Sequence, residues 1–116
     1  MKLIAIILLY LINANEPPFI QWIYNYGVSN YSDNGLDIIK NDQNDYIIAG
    51  YNEAEYPNRH IMYMEIDQNG NDVWGHPYDT QEANSKATSL TQSYDGGYIL
   101  TGRFGNDECG FILKTD

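Results

Sequence analysis

The chain is poor in cysteine, in basic residues and in long apolar runs, and each scarcity removes a class of function. Cys109 is the single cysteine among 116 residues. No intramolecular disulfide can form, so a disulfide-stapled mini-fold is excluded. Its neighbours Asp107 and Glu108 give a thiolate no cationic partner, which points to an inert thiol. Lysine and arginine number 6 against 16 acidic residues, for a formal charge of −10. Nucleic acid and anionic lipid surfaces are therefore poor partners, since both are held by Lys and Arg on phosphates. The longest apolar run, Leu3–Ile12, is half the ~20 residues that a membrane-spanning helix needs. Only two histidines occur, His60 and His76, 16 positions apart and without cysteine or carboxylate at zinc spacing. Neither a metal nor another cofactor is expected. There is no glycine-rich phosphate loop with its lysine. Ser29, Ser32, Ser85 and Ser93 stand in polar loops without a nucleophile-elbow pattern. Asp33, Asp37, Asp42 and Asp45 cluster around a loop and a turn, where a solvated surface accounts for them without a catalytic pair.

Turning to what is present, residues Met1–Ala14 have the layout of a signal peptide. Lys2 supplies the positive start, Leu3–Ile12 the apolar centre, and Asn13-Ala14-Asn15 a polar end with a small residue at the expected cut. The protein is expected to be secreted or held at the cell surface, with residues 15–116 as the mature region. About a hundred residues suffice for one modest core. Asn30-Tyr31-Ser32 forms a glycosylation triplet, relevant only in a eukaryotic secretory pathway. Eleven tyrosines, with many isoleucines, favour strands over helices.

One strand is written twice. Tyr46-Ile47-Ile48-Ala49-Gly50 returns 52 positions later as Tyr98-Ile99-Leu100-Thr101-Gly102, each copy preceded by an Asn/Asp/Gly-rich turn. At that offset Trp22 falls on Trp74, Tyr26 on Tyr78, Leu36 on Thr88 and Ile38 on Leu90. After Gly102 the match resumes at an offset of 49, with Met64 on Leu113 and Asp67 on Asp116. The three-residue change falls in a loop, where length varies freely. Alternation and turn residues place strands at 19–26, 36–40, 46–51, 60–66, 72–78, 87–91, 97–103 and 110–115. Loops are expected at 27–35, 52–59 and 79–86, and Asn69-Gly70 marks a hairpin turn. Asp67-Gln68-Asn69-Gly70-Asn71-Asp72 begins like a calcium loop, but a calcium loop needs Gly at its sixth position and Glu at its twelfth. Asp72 and Tyr78 stand there instead.

A period near 50 residues with four short strands per copy is the signature of a propeller blade. The run Trp74-x3-Tyr78, then Asp95-Gly96-Gly97-Tyr98-Ile99-x2-Gly102, then Ile112-Leu113-Lys114-Thr115-Asp116, with Asn69-Gly70-Asn71-x2-Trp74 from the first copy, resembles a blade repeat of large secreted and cell-surface proteins. The resemblance spans Trp22 to Asp116 and departs at Gln43-Asn44-Asp45, where Asp-Gly-Gly would stand, so the first turn's type is left open. It implies an all-β fold of antiparallel four-stranded blades of β-propeller type, about two of them, with repeats at about 22–73 and 74–116. Two blades cannot close a ring, which needs about four to eight. The region opens on a fourth-type strand around Trp22 and finishes on a third-type strand, so copies of the chain, or further blades of a longer chain, are the expected partners.

Trp22, Trp74, Tyr46, Tyr98, Gly50 and Gly102 define the repeat, and the two tryptophans are expected to fill the core between blades. Tyr26, Tyr31, Tyr51, Tyr56 and Tyr78 flank loops and are the candidate ligand contacts, since exposed aromatic rings on loops suit sugar or peptide. The expected role is a non-enzymatic binding or adhesion module for a carbohydrate or protein ligand. A structural segment of a longer propeller protein is the rival reading, and a propeller-based hydrolase is a minor one.

Overall fold

The computed structural model describes residues 19–27, 32–55, 58–78, 84–107 and 109–116. The expected signal peptide, Tyr31 and Tyr56 lie outside the described residues, as do the side chains of His76, Pro77 and Tyr78. Among the described residues seven strands are present: β1 (Asp33–Lys40), β2 (Tyr46–Glu55), β3 (Asn58–Ile66), β4 (Asp72–Tyr78), β5 (Lys86–Gln92), β6 (Tyr98–Phe104) and β7 (Cys109–Lys114). They form two antiparallel sheets, a first of order β1-β2-β3-β4 and a second of order β5-β6-β7. No helix occurs among the described residues.

Three turns share one geometry. In Asn41–Asp45 the Asn41 N–H donates to the Asp45 carbonyl at 2.9 Å and the Asn44 N–H to the Asn41 carbonyl at 3.1 Å. Ser93–Gly97 repeats both bonds at 2.7 and 3.1 Å, and Asp67–Asn71 repeats them at 2.9 and 3.0 Å. The fourth residue of each is left-handed: Asn44 at φ 67°, Gly96 at 90° and Gly70 at 87°. This is a three-residue hairpin loop whose last residue must tolerate positive φ. Asn can occupy that region where most residues cannot. The departure of the first copy from Asp-Gly-Gly therefore leaves the turn type unchanged. A side-chain carboxamide or carboxylate locks two of the turns. Asn41 Oδ1 accepts from the Gln43 and Asp45 N–H groups at 3.0 and 2.9 Å, and Asp67 Oδ1 from those of Asn69 and Asn71 at 2.9 and 2.8 Å.

The repeat extends to an irregularity. The β1–β2 register slips between Gly35 and Asp37, and the β5–β6 register slips between Ala87 and Ser89, at the same offset of 52. Each bulge presses a carbonyl onto the facing strand. A Cβ on Gly50 would stand 1.7 Å from the Asn34 oxygen, and one on Gly102 would stand 2.1 Å from the Lys86 oxygen. Both glycines are thus demanded by close approach of a bulged backbone.

The sheets pack face to face. Ile47, Ala49 and Ile61 of the first meet Ala87, Leu90, Tyr98 and Leu100 of the second, with Ile39, Tyr63, Trp74, Phe111 and Leu113 around them. Ile47, Ala49, Ala87 and Leu100 have no exposed surface. Polar bonds pin the seam at its inner edge, where Asp37 Oδ2 accepts the Leu90 N–H at 2.8 Å and Gln92 Oε1 accepts the Asp42 N–H at 3.1 Å.

Several expectations need correction. Residues 19–26 form no strand. They lie against the β3–β4 turn, where Trp22 Nε1 donates to the Gln68 carbonyl at 3.2 Å and the Tyr26 hydroxyl donates to the Gly70 carbonyl at 2.6 Å. A strand there needs a third-type neighbour, and β3 is already paired with β4. The loop expected at 52–59 is mostly strand, since β2 runs on to Glu55 and β3 begins at Asn58. Pro57 and the surrounding polar residues suggested a long loop, but the Arg59–Glu53 ion pair at 2.5 Å and the Asn52–His60 pairing hold the strands together. Strand β1 begins at Asp33 rather than Leu36. A repeat counted from Trp74 opens with β4, which hydrogen-bonds into the first sheet; a unit that opens on a fourth-type strand is offset from the sheet by one strand, and this needs no correction.

Candidate functional site

All three turns lie at one end of the sheets, and between two of them the seam opens into a cavity. Its volume is about 350 Å³, and Tyr63, Glu65, Trp74, Tyr98, Thr115 and Asp116 line it. Strand pairing places the groups. Glu65 of β3 stands opposite Trp74 of β4, so both side chains project from one face of the first sheet. Tyr63, two residues before Glu65, shares that face. Tyr98 opens β6 on the facing sheet.

The Trp74 ring meets Tyr63 edge-on at 5.2 Å and tilts against Tyr98 at 6.5 Å. Its Nε1 donates to Glu65 Oε2. The other carboxylate oxygen accepts from Asn41 Nδ2 at 2.8 Å, and the same amide nitrogen reaches the Tyr98 hydroxyl oxygen at 3.1 Å. Asn41 is buried, and it ties its own turn to Glu65 and across the seam to Tyr98. Glu65 thus has a fixed orientation with two donors described, and a carboxylate can accept about four. Thr115 Oγ1 accepts the Tyr98 N–H at 2.9 Å, which sets the chain just after β7 beside the cavity.

The candidate tyrosines are scattered. Tyr26 is half-buried against Gly70; burial, and then the Asp72 charge, raise its pKa. Tyr51 lies under the Arg59 guanidinium, 5.0 Å from the ring centre. Tyr51 and Tyr78 both pair with Ile61, in one row at the end of the first sheet opposite the turns. Tyr31 and Tyr56 lie outside the described residues. The cavity instead gathers Trp74 and Tyr98 from the repeat-defining set with Glu65 and Tyr63, and Asn41 holds Glu65 and Tyr98 without lining it; none of these last three residues, Glu65, Tyr63 and Asn41, stood out in the sequence as a site. The available signal was the two-residue spacing of Tyr63 and Glu65 in a strand; nothing local shows that Trp74 pairs opposite them.

The Asp67 carboxylate is taken up by its own turn, accepting from Asn71 Nδ2 at 3.0 Å besides the two backbone groups. The Asn71 bonds, side chain first, lower its pKa. Among the described residues no group of three or more His, Cys, Asp or Glu side chains is placed to hold a metal ion. Cys109 is free and exposed. No family model, curated protein or solved structure matches this chain.

Proposed function

We propose that the protein is a secreted, non-enzymatic binding module that takes a neutral carbohydrate in the Trp74 cavity. The observation that carries this reading is the pairing of an aromatic wall with an oriented carboxylate. Trp74, Tyr63 and Tyr98 offer ring faces and edges, and Glu65 offers acceptors to hydroxyl groups. A sugar ring presents both counterparts, an apolar C–H face and a hydroxyl rim. The volume of about 350 Å³ falls in the range of small-molecule sites. Glu65 and Asp116 at the cavity and the net charge of −10 disfavour an anionic ligand.

A purely structural role is favoured by a different observation, the Glu65–Asn41–Tyr98 network that joins the sheets. Titration of the protein with a panel of neutral oligosaccharides, read by tryptophan fluorescence and calorimetry, separates the two. Binding that weakens about tenfold or more in Glu65→Gln, roughly one charge-assisted hydrogen bond, supports the carbohydrate reading. A blank panel with folded protein leaves the structural one.

A further inference from the structure

The two sheets meet through different faces. The first contributes Ile39, Ile47, Ala49 and Tyr63, and the second contributes Leu90, Tyr98, Leu100 and Leu113. Alternation along the strands sends the intervening residues to the far faces. On the first sheet these include Ile38, Ile48 and Met64, which at the repeat offsets are the counterparts of Leu90, Leu100 and Leu113. On the second sheet they include Thr91, Ile99, Thr101 and Ile112, the counterparts of Ile39, Ile47, Ala49 and Tyr63. Each far face therefore matches by position the face that the other sheet has already buried, with Thr91 and Thr101 standing for Ile39 and Ala49.

We propose that a second copy of this chain stacks head to tail on the first, its first sheet's far face against the neighbour's second-sheet far face, reproducing the intramolecular seam. Exposure marks both surfaces except at Met64, which is already buried at 7% within the single chain. Ile38 is 57% exposed while its counterpart Leu90 is 6% exposed, and Ile112 is 79% exposed. A second cavity, of about 380 Å³ and lined by Gly35, Leu36, Asp37, Ile38 and Ile48, opens on the first sheet's far face. The segment 19–26 already lies on that face: Trp22 stands edge-on to Tyr46 at 6.4 Å, much as Trp74 stands against Tyr98 at 6.5 Å. Stacking brings this segment beside β7, the edge of the neighbour's three-stranded sheet, as β4 lies beside β3. Its apolar side chains Phe19, Ile20 and Ile23, each at least 80% exposed, then gain cover. Trp22 comes opposite Lys114, where Trp74 has Glu65. Because the two faces differ, the contact is heterologous and continues until a ring closes. Two copies bring four sheets, the lower end of propeller closure.

The proposal rests on the sheet packing and is independent of the carbohydrate reading. Light scattering on the purified protein at micromolar concentration is expected to show one discrete oligomer. Ile38→Lys and Ile112→Lys each block one face and are expected to give monomers with an unchanged β-sheet circular dichroism spectrum, since both side chains are exposed in the single chain. Each variant keeps the face that the other has lost, so an equimolar mixture is expected to form a one-to-one heterodimer. A monomeric wild-type chain overturns the proposal and leaves these faces to blades of another chain. Oligomers that survive both substitutions overturn it too, as do variants that stay monomeric when mixed.

Discussion

Strands β1–β3 and β5–β7 share turn, bulge and glycine positions, yet among the described residues only the first sheet carries a fourth strand. What the two units hold in common is backbone: a left-handed residue at Asn44 and Gly96, and close approach at Gly50 and Gly102. What differs is the side-chain chemistry around the turn. In the first unit the buried Asn41 links the half-buried Glu65 to Tyr98. At the matching positions the second unit has Ser93 and Lys114, and Lys114 instead pairs with the exposed Asp95 at 2.5 Å. The backbone plan can be copied without the polar network because hairpin geometry is satisfied locally, whereas the network exists only where a facing sheet supplies Tyr98.

The largest test of this comparison is in the core. Leu100 and Ile48 are counterparts, but Leu100 is fully enclosed between the sheets while Ile48 lies on the far face. Leu100→Ala is expected to cost about 2–5 kcal/mol, as buried leucine truncations do. Ile48→Ala is expected to cost clearly less in a monomeric background such as Ile38→Lys. Urea denaturation midpoints decide it, and equal losses would break the distinction between near and far faces. Next in size, Gly50→Ala and Gly102→Ala are each expected to destabilise by about 1–3 kcal/mol, since the new Cβ forces the bulge carbonyl aside. Similar losses in the two variants would sharpen the equivalence of the bulges. A neutral Gly102→Ala would contradict it.

The smallest effect concerns acid. The Asp95 carboxyl is lowered to about 2 from 3.8, first by its hydrogen bond from Lys114 and then by that from Ser93. A depressed carboxylate favours the fold above its ordinary pKa, and that contribution is lost as pH falls from about 3.8 through about 2. Melting temperatures followed across this window are expected to fall less steeply in Asp95→Asn than in wild type. The difference should be small and shrink with salt, because the pair is well exposed. Acid loss belonging to Asp67, which is also lowered, should persist in the variant.

The turns and most of the strands were legible in the chain because their causes are local. Asn69-Gly70 and Asp95-Gly96-Gly97 announce positive φ, and β4 begins and ends where alternation placed it. The extensions of β2 and β3 to Glu55 and Asn58 were not legible, since polar residues beside Pro57 look like loop. The segment 19–26 misled for the opposite reason. Its pattern is that of a strand, but a strand needs a free edge to pair with, and that is a property of neighbours.

The candidate site divides the same way. Trp74 and Tyr98 stood out as repeat markers, while Glu65, Tyr63 and Asn41 carried no distinguishing sequence context. The sequence by itself determined the repeat, the hairpin turns, the bulge-facing glycines and the all-β class, because these follow from backbone sterics and period-two alternation. Only the tertiary structure decided which face of each sheet is buried, where residues 19–26 rest, and that Glu65, Trp74 and Tyr98 share a cavity. In both sheets each face carries enough apolar residues to pack, so alternation alone could not choose between them; the choice was made by which sheet lay opposite.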